Sequence, residues 1–138
     1  MAAKDIYHAI VCKILTDSDW KITHDPLQIR IDDVDLAIDL GAENLIAAEN
    51  DREKVAIEIK SFINPSGITD FHAAVGQYMN YAQALEEFDP ARNLFLAIPL
   101  DTYNTLFTKR FIQKALQRHQ IKLFVFDPEN GVIVQWEK

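Results

Sequence analysis

In the stretch VAIEIKSF, Val55 to Phe62, Glu58 and Lys60 interrupt an otherwise apolar run. Side chains alternate along a strand, so Glu58 and Lys60 share one face while Val55, Ile57 and Ile59 occupy the other. Nineteen residues before Glu58, Asp39 stands near the end of the alternating run DVDLAIDL, beside the small residues Gly41 and Ala42. Pairing of these two strands brings Asp39 to Glu58 and makes a two-carboxylate oxygen cage, the donor set that a hard cation such as Mg²⁺ prefers. The ion offsets a repulsion that otherwise makes such a pair costly. Lys60 beside the cage is placed to orient or deprotonate a water, while the metal lowers that water's pKa and neutralises charge building on a phosphate. The chemistry expected is phosphodiester hydrolysis. The same spacing also fits a half-exposed strand with a solvated polar face and a Glu/Lys pair of little energetic consequence. Two other acids compete for the role given to Asp39, since Asp35 has the same strand parity and Glu43 lies close by.

The elements that must position these residues follow from periodicity. In AKDIYHAIVCKILTDSDW, Ile6, Ile10 and Ile14 recur at four-residue spacing, with Tyr7, Val11 and Leu15 widening the stripe, which predicts an amphipathic helix. Beyond THDP, LQIRI and VDLAIDL alternate around Asp32 and Asp33 and predict a hairpin. NLIAAE and KVAIEIKSF predict two more strands, joined by the polar turn NDRE. After NPSG, Thr69 is the expected N-cap of a long second helix with Phe71, Val75, Tyr78, Ala82 and Leu85 at helical spacing. NLFLAIPL predicts a strand, and Tyr103 to His119 a third helix behind a cap at Asp101. IKLFVF and GVIVQW predict a closing pair around the turn at Asn130 and Gly131. This order predicts an α/β fold, a mixed sheet with flanking helices.

A chain of 138 residues is expected to form one domain, residues 1–138. It contains no apolar run of transmembrane length and no signal-peptide core, so a cytoplasmic location away from the membrane is expected. Cys12 is the lone cysteine, which excludes an internal disulfide and a cysteine-rich zinc site, and it reads as hydrophobic filler in the first helix. The net charge of −7 argues against non-specific nucleic-acid binding, so any DNA contact must be local or shared with a partner.

One basic stretch stands against that charge. Lys109, Arg110, Lys114, Arg118 and Lys122 fall between Thr108 and Lys122 with no Asp or Glu, and Arg110, Lys114 and Arg118 form a ladder on one helix face. It reads either as a track for a phosphate backbone or as a solvated helix face. On the first helix Asp5, His8 and Cys12 recur at i, i+3 and i+7; either the carboxylate and imidazole point toward the site, or the macrodipole explains Asp5 and an exposed or core-edge position His8. His24 and His72 have no partners at zinc-ligating spacing. The last strand, GVIVQW, either covers the sheet or exposes an edge to which a second copy or a partner can add.

Asp39 followed by Glu58, Ile59 and Lys60 resembles the D…(D/E)xK core of the PD-(D/E)xK nuclease superfamily, and the predicted element order resembles its αβββαβ layout. Ile38 stands where that pattern has a proline. In QYMNY, Gln77 and Tyr81 at i and i+4 resemble the QxxxY motif of the RecB-like branch. Over essentially the whole chain, KDIYH, ITHDPL, IDLGAENLIAAE, VAIEIKSF, FHAAVGQYMNYAQALEE, AIPLDTY and VIVQWEK resemble the cyanobacterial XisH family of element-excision controlling factors.

That resemblance implies a restriction-endonuclease-like fold and a role in excising a nitrogen-fixation DNA element during heterocyst differentiation, alongside a site-specific recombinase and a companion factor, XisI. It implies Asp39 and Glu58 as Mg²⁺ ligands, Lys60 as the residue that positions water, and Gln77 with Tyr81 as support for the site or the DNA. The superfamily also contains members that keep the fold without cutting DNA. Two expectations therefore stand, a Mg²⁺-dependent DNA nuclease and a non-catalytic regulator that binds XisI, the recombinase or DNA.

Overall fold

The computed structural model describes residues 4–46 and 51–137. Helix α1 (His8–Asp17) buries Val11, Ile14 and Leu15 against one face of a sheet, as its apolar stripe requires. Strand β1 (Lys21–His24) follows; its four residues, KITH, alternate too briefly to be read from the sequence. Strands β2 (Leu27–Ile31) and β3 (Val34–Ile38) form the expected antiparallel hairpin. Its turn residues Asp32 and Asp33 have φ of 49° and 67°, the left-handed pair that a two-residue hairpin turn requires and that Asp tolerates.

The run VDLAIDL does not continue as one strand. It breaks at Asp39, where the chain leaves the two-stranded hairpin and enters the main sheet as β4 (Leu40–Ile46). Residues 47–50, the end of the expected NLIAAE strand and the start of its turn, lie outside the described residues. Strand β5 (Asp51–Ile59) returns antiparallel to β4.

Helix α2 (Gly67–Phe88) then crosses to β6 (Arg92–Pro99), parallel to β5. Its N-cap is Ser66 rather than Thr69, because the Ser66 hydroxyl accepts the Thr69 backbone N–H at 3.3 Å and Asp70 falls in the favourable first turn. The expected third helix is divided. A single turn, α3 (Leu100–Thr102), widens into a π-turn over Tyr103–Phe107, Lys109 is extended with ψ 140°, and α4 (Arg110–Arg118) starts anew. The wide turn seats Phe107, fully buried, between Phe62 and Phe71. Burying such a ring contributes roughly 1.5–3 kcal/mol, more than regular helix geometry would recover here.

Strands β7 (Leu123–Asp127) and β8 (Val132–Trp136) close the chain, turning at Gly131 with φ 66°. The six-stranded order is β1-β4-β5-β6-β7-β8, parallel at β5/β6 and β6/β7 and antiparallel elsewhere. Strands β6 and β7 are apolar on both faces because both faces are covered. Phe95, Phe124 and Phe126 pack with α1 on one face, while Leu94, Leu96 and Val125 pack with α2, α4 and the hairpin on the other. Edge strand β8 does both things its sequence allowed: Trp136 packs on Trp20, Phe95 and Phe124, while Val132 and Val134 stay exposed. No described helix is long and apolar enough to cross a membrane.

Candidate functional site

The β4/β5 register sets Leu40 opposite Ile57, and the next residues outward, Asp39 and Glu58, therefore meet at the point where the chain switches sheets. Asp39 belongs to neither ladder, and its backbone N–H donates instead to Glu58 Oε1 at 3.2 Å. In return the Ile59 N–H donates to Asp39 Oδ2 at 2.8 Å. The two carboxyls also share a hydrogen bond. Glu58 lies on the same strand face as Ala56, toward α2 and the hairpin, while Val55, Ile57 and Ile59 point into the α1 core as their alternation predicted.

Burial dominates the electrostatics. Glu58 is 9% exposed; burial pushes its carboxyl up, the Asp39 charge adds to this, and the result is about 9 despite the opposing charge of Lys60. Burial also raises Asp39, although the Ile59 N–H and the bond from Glu58 work against it, as does His8. Burial and mutual repulsion thus favour retention of a proton by the pair. Tyr81, half-buried on α2, is pushed up to about 12 by burial and then by the charges of Glu58 and Asp39, so its hydroxyl stays a hydrogen-bond donor beside them.

The fold thus brings Asp39, Glu58, Lys60 and Tyr81 together. Lys60 is half-buried just past β5, its own N–H bonded to the Ala97 carbonyl at 3.0 Å. Gln77 stands exposed on α2, one turn before Tyr81. The competing acids are placed elsewhere. Asp35 is exposed on the hairpin and paired with Arg30 at 2.9 Å, and Glu43 faces Lys54 in the β4/β5 register.

Asp5 is the residue whose spacing in the sequence understates its place in the fold. It precedes α1, accepts the Tyr7 N–H through Oδ1 and the Ser61 N–H through Oδ2, both at 2.9 Å, and its charge raises Asp39. An open groove beside the pair is lined by Asp5, Lys60, Ser61, Asn64 and Asp70. The only sequence signal is its spacing to His8, which the helix dipole is enough to explain.

Asp39 and Glu58 supply two adjacent carboxyl groups, the hard oxygen donors that could hold a divalent cation.

Known proteins match the chain over nearly all its length. Residues 1–134 match the family model described as XisH protein. The crystal structure of an XisH family protein from Nostoc punctiforme PCC 73102 is 40% identical, with a TM-score of 0.87 over 97% of this chain and 100% of that one. A fdxN element excision controlling factor protein from Anabaena variabilis is 39% identical, with a TM-score of 0.88 over 98% of this chain and 100% of that one. No curated protein matches. With the family model and both structures agreeing along the whole fold, this chain belongs to the XisH family.

Proposed function

We propose that the chain is an element excision controlling factor whose carboxylate site is a Mg²⁺-dependent phosphodiesterase centre, of PD-(D/E)xK type on a restriction-endonuclease-like fold. The first half of this reading is supported by the Anabaena variabilis relative, whose name states that role for the fdxN element. The second is carried by one observation, two buried carboxyls, Asp39 and Glu58, set against each other where the chain changes sheets, with burial raising both.

When bound, Mg²⁺ supplies Lewis acidity and a water of lowered pKa. To hold it, Asp39 and Glu58 would lose any proton the pair retains to solvent and present their oxygens. Lys60 orients the attacking water or takes its proton, and the Tyr81 hydroxyl donates to a phosphate oxygen. Gln77, exposed on the same helix, contacts the DNA strand. The ladder of Arg110, Lys114 and Arg118 is fully on the surface of α4, with Phe111 exposed beside it, and α4 packs on the same sheet face as α2. This basic track offsets the net charge of −7 where DNA would lie.

A second reading rests on the same two carboxylates. Each already accepts a backbone N–H of the other's strand, which is what a structural staple does. On that reading the chain is a non-catalytic regulator in heterocyst differentiation that binds an XisI-like factor, the site-specific recombinase or DNA. The exposed edge of β8 then offers a place for a partner or a second copy to add.

Cleavage of supercoiled and branched DNA by the purified chain in Mg²⁺ or Mn²⁺, with and without XisI, separates the two. Cutting that vanishes in Glu58→Ala, with the fold intact, is expected of the nuclease. Absence of cutting under every condition moves the assignment to the regulator.

A further inference from the structure

Besides the carboxylate pair, α1 and the turn after β1 bring together three side chains of different donor chemistry. His8 and Cys12 stand four residues apart and share a helix face. Asp25 returns to that face, with its Oδ1 at 2.7 Å from His8 Nε2 and its Oδ2 at 4.0 Å from Cys12 Sγ. One donor atom from each residue lies within 4.8 Å of the others.

His8 is 6% exposed, and its Nδ1 has no hydrogen-bond partner among the described residues. An orphaned buried polar atom costs roughly 1–3 kcal/mol, which an apolar residue at the same place would not incur. Packing therefore does not account for an imidazole here; what its other nitrogen faces does. That nitrogen faces a carboxylate and, beyond it, a thiol.

We propose that His8, Cys12 and Asp25 form a binding site for a divalent transition metal, with Zn²⁺ the ion their mixed donors suit best. An imidazole nitrogen, a thiolate and a carboxylate select Zn²⁺ over Mg²⁺, so this site is chemically distinct from the oxygen pair at Asp39 and Glu58. Ligand atoms on a tetrahedral Zn²⁺ at about 2.0–2.3 Å lie roughly 3.3–3.7 Å apart. The Asp25 carboxylate, 31% exposed, reaches that spacing by rotating away from His8 and toward Cys12. As the Zn–S bond forms, the S–H bond breaks and the proton leaves to solvent. Lys4, 3.8 Å from Asp25 Oδ1 and 64% exposed, swings into water. The fourth coordination position stays open to a water or to a partner's side chain. The ion would tie α1 to the β1–β2 turn, next to the segment where Asp5 holds the Ser61 N–H.

The test titrates the purified full chain with Co²⁺ as a spectroscopic probe and then with Zn²⁺. One equivalent of Co²⁺ is expected to give a thiolate-to-cobalt charge-transfer band with visible bands of tetrahedral intensity, and one equivalent of Zn²⁺ to abolish both. Cys12→Ser should lose the charge-transfer band and weaken Zn²⁺ about a hundredfold or more, since even groups one step removed from a metal contribute ~10–100-fold. Asp25→Asn should also weaken binding. A cobalt spectrum without the sulfur band, or Zn²⁺ binding as tight in Cys12→Ser as in the parent, overturns the proposal; so does the absence of stoichiometric binding. Cys12 is half-exposed and the serine nearly isosteric, so that variant decides the matter even where Asp25→Asn fails to fold.

Discussion

Asp39 and Glu58 each secure the other's strand: the Asp39 N–H donates to Glu58 Oε1 at 3.2 Å, and the Ile59 N–H to Asp39 Oδ2 at 2.8 Å. The arrangement joins the end of the hairpin to the middle of the main sheet.

Stability should therefore depend on pH through Glu58. Its carboxyl has an ordinary value of 4.5 and is raised by burial to about 9 in the folded chain, so between those values the folded state holds a proton that the unfolded chain has lost. The stabilisation is complete below about 4.5 and is lost as pH rises through about 9. Thermal unfolding followed from pH 5 upward should show a falling midpoint that Glu58→Gln flattens, and Mg²⁺ should stabilise more strongly at high pH. Equal slopes in the parent and Glu58→Gln would place the proton elsewhere.

Lys60 carries the water-positioning role, and Lys60→Met keeps its aliphatic stem while removing the ammonium. Loss of general acid–base or water-orienting function typically costs ~10²–10⁴-fold in rate. Cleavage should fall by about that much in single-turnover assays with the unfolding midpoint nearly unchanged. Retained cutting would remove Lys60 from the mechanism.

Two tyrosines on α2 have separable duties. The buried Tyr78 hydroxyl donates to the Leu94 carbonyl at 2.8 Å and accepts the Lys122 N–H at 3.1 Å, tying the helix to β6 and to the residue before β7. Tyr78→Phe should destabilise by about 1–3 kcal/mol in urea unfolding, because both backbone groups lose their partner. Tyr81→Phe should leave stability almost unaltered and lower cleavage. A reversed pattern would reassign both residues.

The basic face of α4 predicts salt-dependent binding. Lys114→Glu with Arg118→Glu should weaken DNA binding in fluorescence anisotropy and reduce the log–log salt slope by about one for each phosphate the variant no longer neutralises. Both residues are exposed, so the fold should tolerate the change. Binding that is unaltered across salt concentrations would exclude this face.

Much of the site was legible from local pattern. Period-two alternation in VAIEIKSF placed Glu58 opposite the apolar face of β5, and the turn residues Asp32 and Asp33 marked the hairpin, because each signal depends only on neighbours along the chain. Four-residue spacing likewise put Gln77 and Tyr81 on one side of α2. How deep each sits is set by packing: Tyr81 is half-buried and feels the charges of Glu58 and Asp39, while Gln77 is exposed.

The sequence favoured Asp39 by its place at a strand end, but only the tertiary structure sets it, rather than Asp35 or Glu43, against Glu58. That choice turns on the chain leaving one sheet for another at a single residue, which VDLAIDL, uniform in its alternation, does not encode. The break before α4 came from the demand of the core for Phe107, which overrides a continuous helical pattern. Asp25 meets His8 and Cys12 across a turn that no periodicity reports. Composition and spacing determined which chemistries this chain could hold; closure of the sheet, where strands distant in sequence pay the entropy of meeting, decided which side chains stand together.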